Sequence, residues 1–205
     1  MSRREEQAGF TLVEWVVACA VVAVLGGLLL PSFTSRLSVA RVSAAERDVS
    51  AIGNAIRAMH RQLGVWPARN GAGVDHSLTL LLSGSALPGA NPWADTSFWS
   101  MVTGSSADVL DHHLAANTPQ GSAGAGYPTA GFAAWHGPYL ESIPRDPWGR
   151  PYVVNVQSGY ATHPTQARRL WVLSAGPDGQ FQTSASAGVA DVCVGDDVGF
   201  LVYLR

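Results

Sequence analysis

Glu14 is the residue of this sequence whose position most demands a chemical explanation. It lies near the start of an apolar run, GFTLVEWVVACAVVAVLGGLLL, which covers Gly9–Leu30 and is followed by Pro31. An ionisable side chain in such a run is unfavourable unless a cation or a hydrogen-bond donor partners it, and it is therefore a functional hypothesis by default. We expect Glu14 to take part in one specific interaction.

Other residues that could do chemistry form no convincing catalytic set. The triplet Asp111–His113 (DHH) suggests a metal site, but adjacent side chains on a helix point apart, whereas zinc ligands must converge. The sequence has no His/Cys motif with zinc spacing, no nucleophile motif, no Walker loop and no dinucleotide fingerprint. We predict no catalytic residues and no enzyme activity.

Composition and charge limit which kinds of partner molecule are expected. The chain has 205 residues, a formal net charge of -2 and 14% charged residues, so nucleic acid is not the default partner. Its two cysteines, Cys19 and Cys193, cannot meet within one chain if the apolar run lies in a bilayer. A disulfide is therefore not expected, and Cys193 is either a buried or a free thiol.

The apolar run is long enough to cross a membrane. Residues 10–31 match the roughly 20 residues that span about 30 Å of hydrocarbon as a helix. Arg3 and Arg4 precede the run, so the N-terminus is predicted to stay cytoplasmic and the rest of the chain to lie outside. A secretory signal peptide would have a shorter apolar core and a small-residue cleavage site. A plain signal anchor would leave Glu14 unexplained.

Beyond Pro31 the helix is predicted to continue through residues 32–63 as an amphipathic segment. Gly64 and Pro67 end the pattern. Charged residues fall between apolar positions spaced three and four apart, which predicts one packed face. These apolar positions are Val42, Ala45, Val49, Ile52, Ile56, Met59 and Leu63.

Residues 64–137 are predicted to be a variable insertion rich in Gly, Ser and Trp. Short helices are expected after Asp75 and after Ser105 or Ser106, the second ending before Pro119. Two explanations compete for the tryptophans, packing and a partner surface, and we favour packing. These tryptophans are Trp66, Trp93, Trp99 and Trp135.

Residues 138–205 are predicted to form a small antiparallel sheet. The segments PYVVNV, RRLWVLS and VGFLVYL have the composition of strands, and DPWGRP and GPDG have that of turns. One face of this sheet can bury the amphipathic part of the long helix.

The N-terminal motif resembles a known family. GFTLVE, an apolar helix and Pro31 together are similar to the prepilin signature of type IV pilins and of type II secretion pseudopilins. The resemblance implies that a prepilin peptidase removes the leader 1–9 between Gly9 and Phe10 and methylates Phe10. It also implies that Glu14 pairs with the amine of Phe10, commonly that of a neighbouring subunit. Pro31 is expected to kink the helix or let it unwind locally.

The C-terminal motifs GPYL, DPWG, GPDG and GDD resemble those of the major pseudopilin of type II secretion. That resemblance implies a calcium site formed by Asp178, Asp196 and Asp197 with the carbonyl of Ala175, and oxygen ligands suit calcium. The stretch between Asp178 and Asp196 is longer than in the family. Asp191 could join or replace a ligand, or the acids could be solvated turn residues.

Together these features predict an α+β, type IV pilin-like fold. The implied function is a structural subunit of a type II secretion pseudopilus or pilus-like filament in the bacterial inner membrane, with its globular domain in the periplasm or on the filament. Its implied partners are copies of itself, prepilin peptidase, other pilin-like subunits, an inner-membrane assembly platform and the membrane. The alternative is a minor binding subunit whose Trp-rich insertion recognises a secreted substrate, a surface or DNA.

Overall fold

The longest element is a helix, α1, which runs from Leu12 to Leu63. The computed structural model describes residues 11–94, 96, 99–104, 106–160, 169–183 and 192–204, and the side chains at 26–35 and 203–204 are not described. The predicted end of the helix near Leu63 is confirmed. The helix is continuous through Pro31, so the local unwinding considered for that residue is not seen.

Two compact units divide the chain, Met1–Ala40 and Arg41–Arg205. In the second unit one face of α1 is buried at the positions that the sequence pattern predicts, because apolar residues three and four apart share a face. These buried residues are Ala45, Val49, Ile52, Ile56, Met59 and Leu63. Val42 is partly buried against the same core.

Short elements follow the long helix and lead to two longer strands at the end of the chain. In chain order they are β1 (Leu80–Leu82), α2 (Trp99–Val102), β2 (Ala107–Val109), α3 (Leu110–Leu114), two 3-10 turns (Pro119–Gly121 and Ala123–Ala125), β3 (Val153–Val154), α4 (Gln157–Tyr160), β4 (Arg169–Ser174) and β5 (Val198–Leu204).

The strands form one five-stranded sheet in the order β2-β1-β3-β4-β5. Three pairs are antiparallel, but β1 and β2 are parallel, with Leu80 opposite Ala107. The α+β, pilin-like architecture is confirmed, whereas the sheet is mixed rather than purely antiparallel. The sequence predicts an insertion outside the sheet at 64–137, yet β1 and β2 both come from that range.

Both faces of the sheet are covered. Successive residues of a strand point to opposite faces, and accordingly Val154 and Val172 join the core under α1 while Val153 and Leu173 join a second core. Trp93 and Val102 contribute to this second core, with Trp99, Met101 and Phe181 packed against it. Part of the middle segment is therefore a covering layer over the sheet.

This double coverage explains why β1 and β2 are poorly predicted from the sequence. Leu80, Leu81 and Leu82 are all fully buried, so β1 is an apolar run without the alternation that distinguishes a half-buried strand. The short helix expected after Asp75 is wrong. The helix expected after Ser105 or Ser106 is partly wrong, because β2 precedes α3.

Side chains bind carbonyl groups of both outer strands. The guanidinium of Arg57 on α1 donates from Nη2 to the carbonyl of Leu201 at 2.7 Å and from Nε to that of Val202 at 2.9 Å. At the opposite edge, Nε2 of Gln120 donates to the carbonyl of Ala107 at 3.3 Å. The outer strands β2 and β5 thus each bind a side chain from another element.

Candidate functional site

The start of α1 is a capping box built by Thr11 and Glu14. The amide and the hydroxyl of Thr11 donate to Oε2 of Glu14 at 2.9 and 2.8 Å, and the amide of Glu14 donates to Oγ1 of Thr11 at 3.3 Å. Reciprocal bonds of this kind satisfy backbone groups that a helix start leaves unpaired. Within the described residues Oε1 of Glu14 accepts no hydrogen bond, so one oxygen of the carboxylate is available to a further donor.

The residues that follow expose an apolar surface. Leu12 and Trp15 are largely exposed, as are the aliphatic side chains Val13, Val16, Val17, Val21, Val22, Val24 and Leu25. No helix within the described residues is long and apolar enough to cross a membrane. Gly9 and Phe10, the predicted cleavage and methylation residues, lie outside the described residues.

Asp178 lies in the turn that follows β4, and hydrogen bonds within the same loop fix its carboxylate. The amide of Gly179 donates to the carbonyl of Ala175 at 3.0 Å, which closes the turn. The carboxylate of Asp178 accepts the amide of Gln180 at 2.7 Å and Nε2 of Gln182 at 2.8 Å. Both oxygens of Asp178 are therefore engaged within their own loop.

The second acidic pair lies against this turn. The amide of Asp178 donates to Oδ2 of Asp196 at 3.3 Å. Asp197 is only 8% exposed, its Oδ2 accepts the amide of Thr183 at 2.5 Å, and its Oδ1 is buried without a hydrogen-bond partner among the described residues. Burial raises the pKa of the Asp197 carboxyl, and the charge of Asp196 acts in the same direction.

These carboxylate oxygens provide only part of the arrangement that a bound cation needs. In the part of the chain that the structure describes, no group of three or more His, Cys, Asp or Glu side chains is placed to hold a metal ion. The unpaired Oδ1 of Asp197 is suited to a cation, since an unpaired buried carboxylate oxygen is costly. Asp178 would have to exchange its hydrogen bonds for a metal bond. Asp191, the alternative ligand, lies outside the described residues.

The two histidines of the DHH triplet belong to a hydrogen-bond network centred on Asp108, and Asp111 does not take part in it. Oδ1 of Asp108 is 2.6 Å from Nδ1 of His112, and Oδ2 is 3.0 Å from Nε2 of His113 and 2.6 Å from the amide of Gln120. Nδ1 of His113 is 2.8 Å from the hydroxyl of Tyr127. An ionised Asp108 accepts all three bonds, so each histidine carries its proton on the nitrogen that faces the carboxylate, and Tyr127 donates to His113.

The two ends of the chain match known families. Residues 6–30 match the family described as the prokaryotic N-terminal methylation motif, and residues 117–193 match that described as type II secretion system protein G. The core protein G of type II secretion from Escherichia coli strain K12 is 26% identical over 183 residues, 89% of this chain and 90% of that protein. The chain is similar to type II secretion protein G and has a type IV pilin-like fold. The methylation motif also indicates association with the cell envelope.

Further relatives of this pilin-like chain match over shorter stretches. The core protein G of Pseudomonas aeruginosa is 37% identical over 54 residues, 26% of this chain and 38% of that protein. The type IV major pilin protein PilE1 of Neisseria gonorrhoeae is 34% identical over 68 residues, 33% of this chain and 32% of that protein. No solved structure matches significantly.

The two family matches include some of the candidate site residues and leave out others. Glu14 lies within the match to the methylation motif, and Asp178 lies within the match to protein G. Asp196 and Asp197 lie beyond that second match, which ends at residue 193. The N-terminal site is thus covered by a family match in full, and the acidic site only in part.

The tryptophans of the middle segment pack as the sequence analysis favours. Trp66 and Trp93 are each 5% exposed, and Trp99 and Trp135 are partly buried against the two cores. The role of Asp108 is not predicted from the sequence, because its partners His112, His113 and Gln120 form no known motif with it. The sequence signal that could indicate this network is an acid four residues before a histidine within an apolar stretch.

Proposed function

We propose that this pilin-like protein is a structural subunit of a type II secretion pseudopilus or pilus-like filament. The observation that carries the proposal is the Thr11–Glu14 capping box at the head of a helix whose apolar side chains are exposed. Such a surface is unfavourable in water, so it is suited to burial in lipid or among identical helices. The relatives named as core protein G and as a major pilin support the same function.

Maturation would create the group that Glu14 needs. Cleavage between Gly9 and Phe10 by a prepilin peptidase leaves Phe10 with a new amine, which the same enzyme methylates. The capping box fixes the Glu14 carboxylate through Oε2 and leaves Oε1 for the Phe10 ammonium of an adjacent copy. In an apolar surrounding such a pair is strongly attractive, while either charge alone is costly. The pair would set the register between neighbouring helices.

The chain would reach the filament through the inner membrane. The run 10–31 would cross the bilayer once with the N-terminus in the cytoplasm, as Arg3 and Arg4 indicate. The unit that begins at Arg41 would lie in the periplasm and then on the filament. An assembly platform and other pilin-like subunits would act on the matured chain. The role is mechanical, and we propose no catalysis.

Calcium would stabilise the acidic loops. Asp196 and Asp197 would be the central ligands, joined by the carbonyl of Ala175 and by Asp178 once its carboxylate leaves Gln180 and Gln182. A bound cation supplies positive charge to a carboxylate oxygen that is otherwise buried without a partner. The loops that follow β4 and precede β5 would then be tied together.

Intact-mass and N-terminal peptide analysis of the envelope protein tests the proposal. We expect a mature chain that begins at Phe10 and carries one methyl group on its amine. A Gly9→Leu variant should retain residues 1–9 and give no filaments by electron microscopy, while Gly89→Ala serves as a matched glycine control outside the cleavage motif. A wild-type chain that keeps its leader and stays unassembled would contradict the proposal.

A further inference from the structure

The loop of residues 128–133, here called the Phe132 loop, projects a single aromatic side chain into solvent. Phe132 is fully exposed, and all six residues of the loop are exposed. Gly131 adopts a φ of 95°, a backbone conformation that glycine tolerates best, and this turn precedes the aromatic residue. The loop carries no charge. An exposed Phe on an uncharged projection has the character of an interface anchor.

The Phe132 loop is held firmly at its base. Tyr127 and Ala134 on either side are buried. The amide of Trp135 donates to the carbonyl of Pro128 at 2.6 Å, and Nε1 of Trp135 donates to the carbonyl of His113 at 3.1 Å. Because the base is fixed, inserting Phe132 into a partner would order little additional chain, and a preformed protrusion binds at lower entropic cost.

The base of this loop lies at the C-terminal end of α1. Trp135 packs edge-on against Tyr139 with ring centroids 5.7 Å apart. The hydroxyl of Tyr139 donates to Oε1 of Gln62, in the last turn of the helix, at 2.5 Å. Through Trp135 the base of the loop also contacts α3, which directly follows the outer strand β2.

A cavity of about 340 Å³ lies at the other end of the same unit. Its apolar lining is Val42, Pro177, Cys193, Val198 and Gly199. Val192 and Val194, which flank Cys193, are exposed. Glu46, Gly195, Asp196 and Asp197 complete the lining. We call this cavity, with its two valines, the β5-end cavity.

The two features lie at opposite ends of the unit that begins at Arg41. Glu46 lines the cavity and Gln62 contacts the base of the loop, and these 16 residues of α1 span about 24 Å. The cavity borders β5 and the loop lies near β2, which are the two outer strands of the sheet. A protrusion at one end and a complementary cavity at the other make a head-to-tail contact, which builds an open helical filament when the rotation between copies does not close a ring.

We propose that Phe132 of one copy inserts into the β5-end cavity of the next copy along the filament. The inference rests on the proposed function, and it names the surfaces of the globular units that meet. A second copy is the fitting occupant because one chain carries both halves of the contact, and because the uncharged loop suits the mainly apolar cavity. Each added copy would repeat the same contact.

Photocrosslinking in cells that make the full-length chain tests this contact. Phe132→p-benzoylphenylalanine should give an adduct of twice the subunit mass in the filament fraction, and mass spectrometry should map it to residues 192–199 of a second copy. The matched control is Leu87→p-benzoylphenylalanine, an exposed apolar position outside both surfaces, which should give no adduct to 192–199. Adducts from Phe132 to a different protein would overturn the proposal.

Two substitutions give an independent measurement. Phe132→Ser and Val194→Arg each change an exposed side chain, so thermal unfolding of the full chain should be unchanged. Each should lower the yield of filaments about tenfold or more, as loss of an interface anchor does. Normal filament yield in both variants would overturn this inference and leave the proposed function standing. If the wild-type chain makes no filament at all, the proposed function fails together with the contact.

Discussion

The amide and the hydroxyl of Thr11 donate to the same oxygen of Glu14, at 2.9 and 2.8 Å. The carboxylate is therefore oriented by its own chain before any second copy arrives. A charged group that is already fixed loses less freedom when it pairs, so the register between two helices can be set at lower cost. The two residues thus have separable roles, since one orients the carboxylate and the other supplies its charge.

Substitutions at these two residues should show separately how the orientation and the charge of the Glu14 carboxylate contribute to filament assembly. Glu14→Gln keeps the shape but removes the charge, and we expect filament assembly to be lost while the protein still accumulates in the envelope. Thr11→Val removes the two bonds made by the hydroxyl and keeps the bond from the backbone amide to Oε2, at a cost of about 1 kcal/mol to the helix start, and we expect assembly to be reduced but present. Quantitative immunoblots of sheared filaments measure both. Equal loss in the two variants would mean that the charge has no role of its own.

Gly53 permits close contact between α1 and β5. A Cβ atom added at Gly53 would lie 2.2 Å from Cδ1 of Phe200, whose ring also lies under the guanidinium of Arg57 at 4.7 Å. Gly53→Ala should destabilise the protein by about 1–3 kcal/mol, because overpacking outweighs the better helix propensity of alanine. Thermal unfolding of the full chain in detergent measures this. Gly89→Ala, where nothing lies within 4 Å, is the control and should have little effect.

The buried histidine should make stability depend on pH. Burial lowers the pKa of His113, although Asp108 opposes that effect. The pKa of Asp108 is also lowered, because bonds from His113, Gln120 and His112 outweigh its burial. As pH falls below about 6.5 the unfolded chain binds a proton at this histidine and the folded chain does not, so stability decreases, by at most about 1.4 kcal/mol per pH unit. The contribution of Asp108 persists to lower pH and is lost as its folded pKa is passed.

Chemical denaturation between about pH 7 and about pH 5 tests this dependence. His113→Phe should be less stable at neutral pH, since Asp108 and Tyr127 lose a partner, and its stability should change less with pH. His136→Gln, at an exposed position, should keep the wild-type slope. An unchanged slope in His113→Phe would assign the pH dependence to other groups.

Asp197 should link stability to calcium. At about 100 times the dissociation constant, calcium should stabilise the full chain by about 2.7 kcal/mol. Asp197→Asn should abolish this gain. Without calcium the same variant should be at least as stable as the wild type, because it removes a buried charge whose Oδ1 has no partner. Thermal unfolding with calcium and with a chelator compares the two chains, and a calcium effect that survives in Asp197→Asn would place the ion elsewhere.

The sequence predicts well the elements whose pattern is local. The buried face of α1 follows from helical spacing, and β4 and β5 follow from strand composition between turn residues. It predicts poorly what depends on the other face of the sheet. Leu80–Leu82 lacks alternation because both faces are covered, and the bonds of Asp108 join residues that only the fold brings together. The acidic residues are predicted from the resemblance to a family, whereas the unpaired oxygen of Asp197 follows only from the structure.

The side chains bound to the two outer strands limit how this protein can self-associate. Outer strands with free carbonyl and amide groups are templates onto which a further strand can pair, and that route leads to aggregates. Arg57 binds the carbonyls of Leu201 and Val202, and Gln120 binds that of Ala107. These bonds oppose the pairing of a further strand at those carbonyl groups. In the proposed filament, contacts between copies would then be made by helices and side chains instead of by strand pairing.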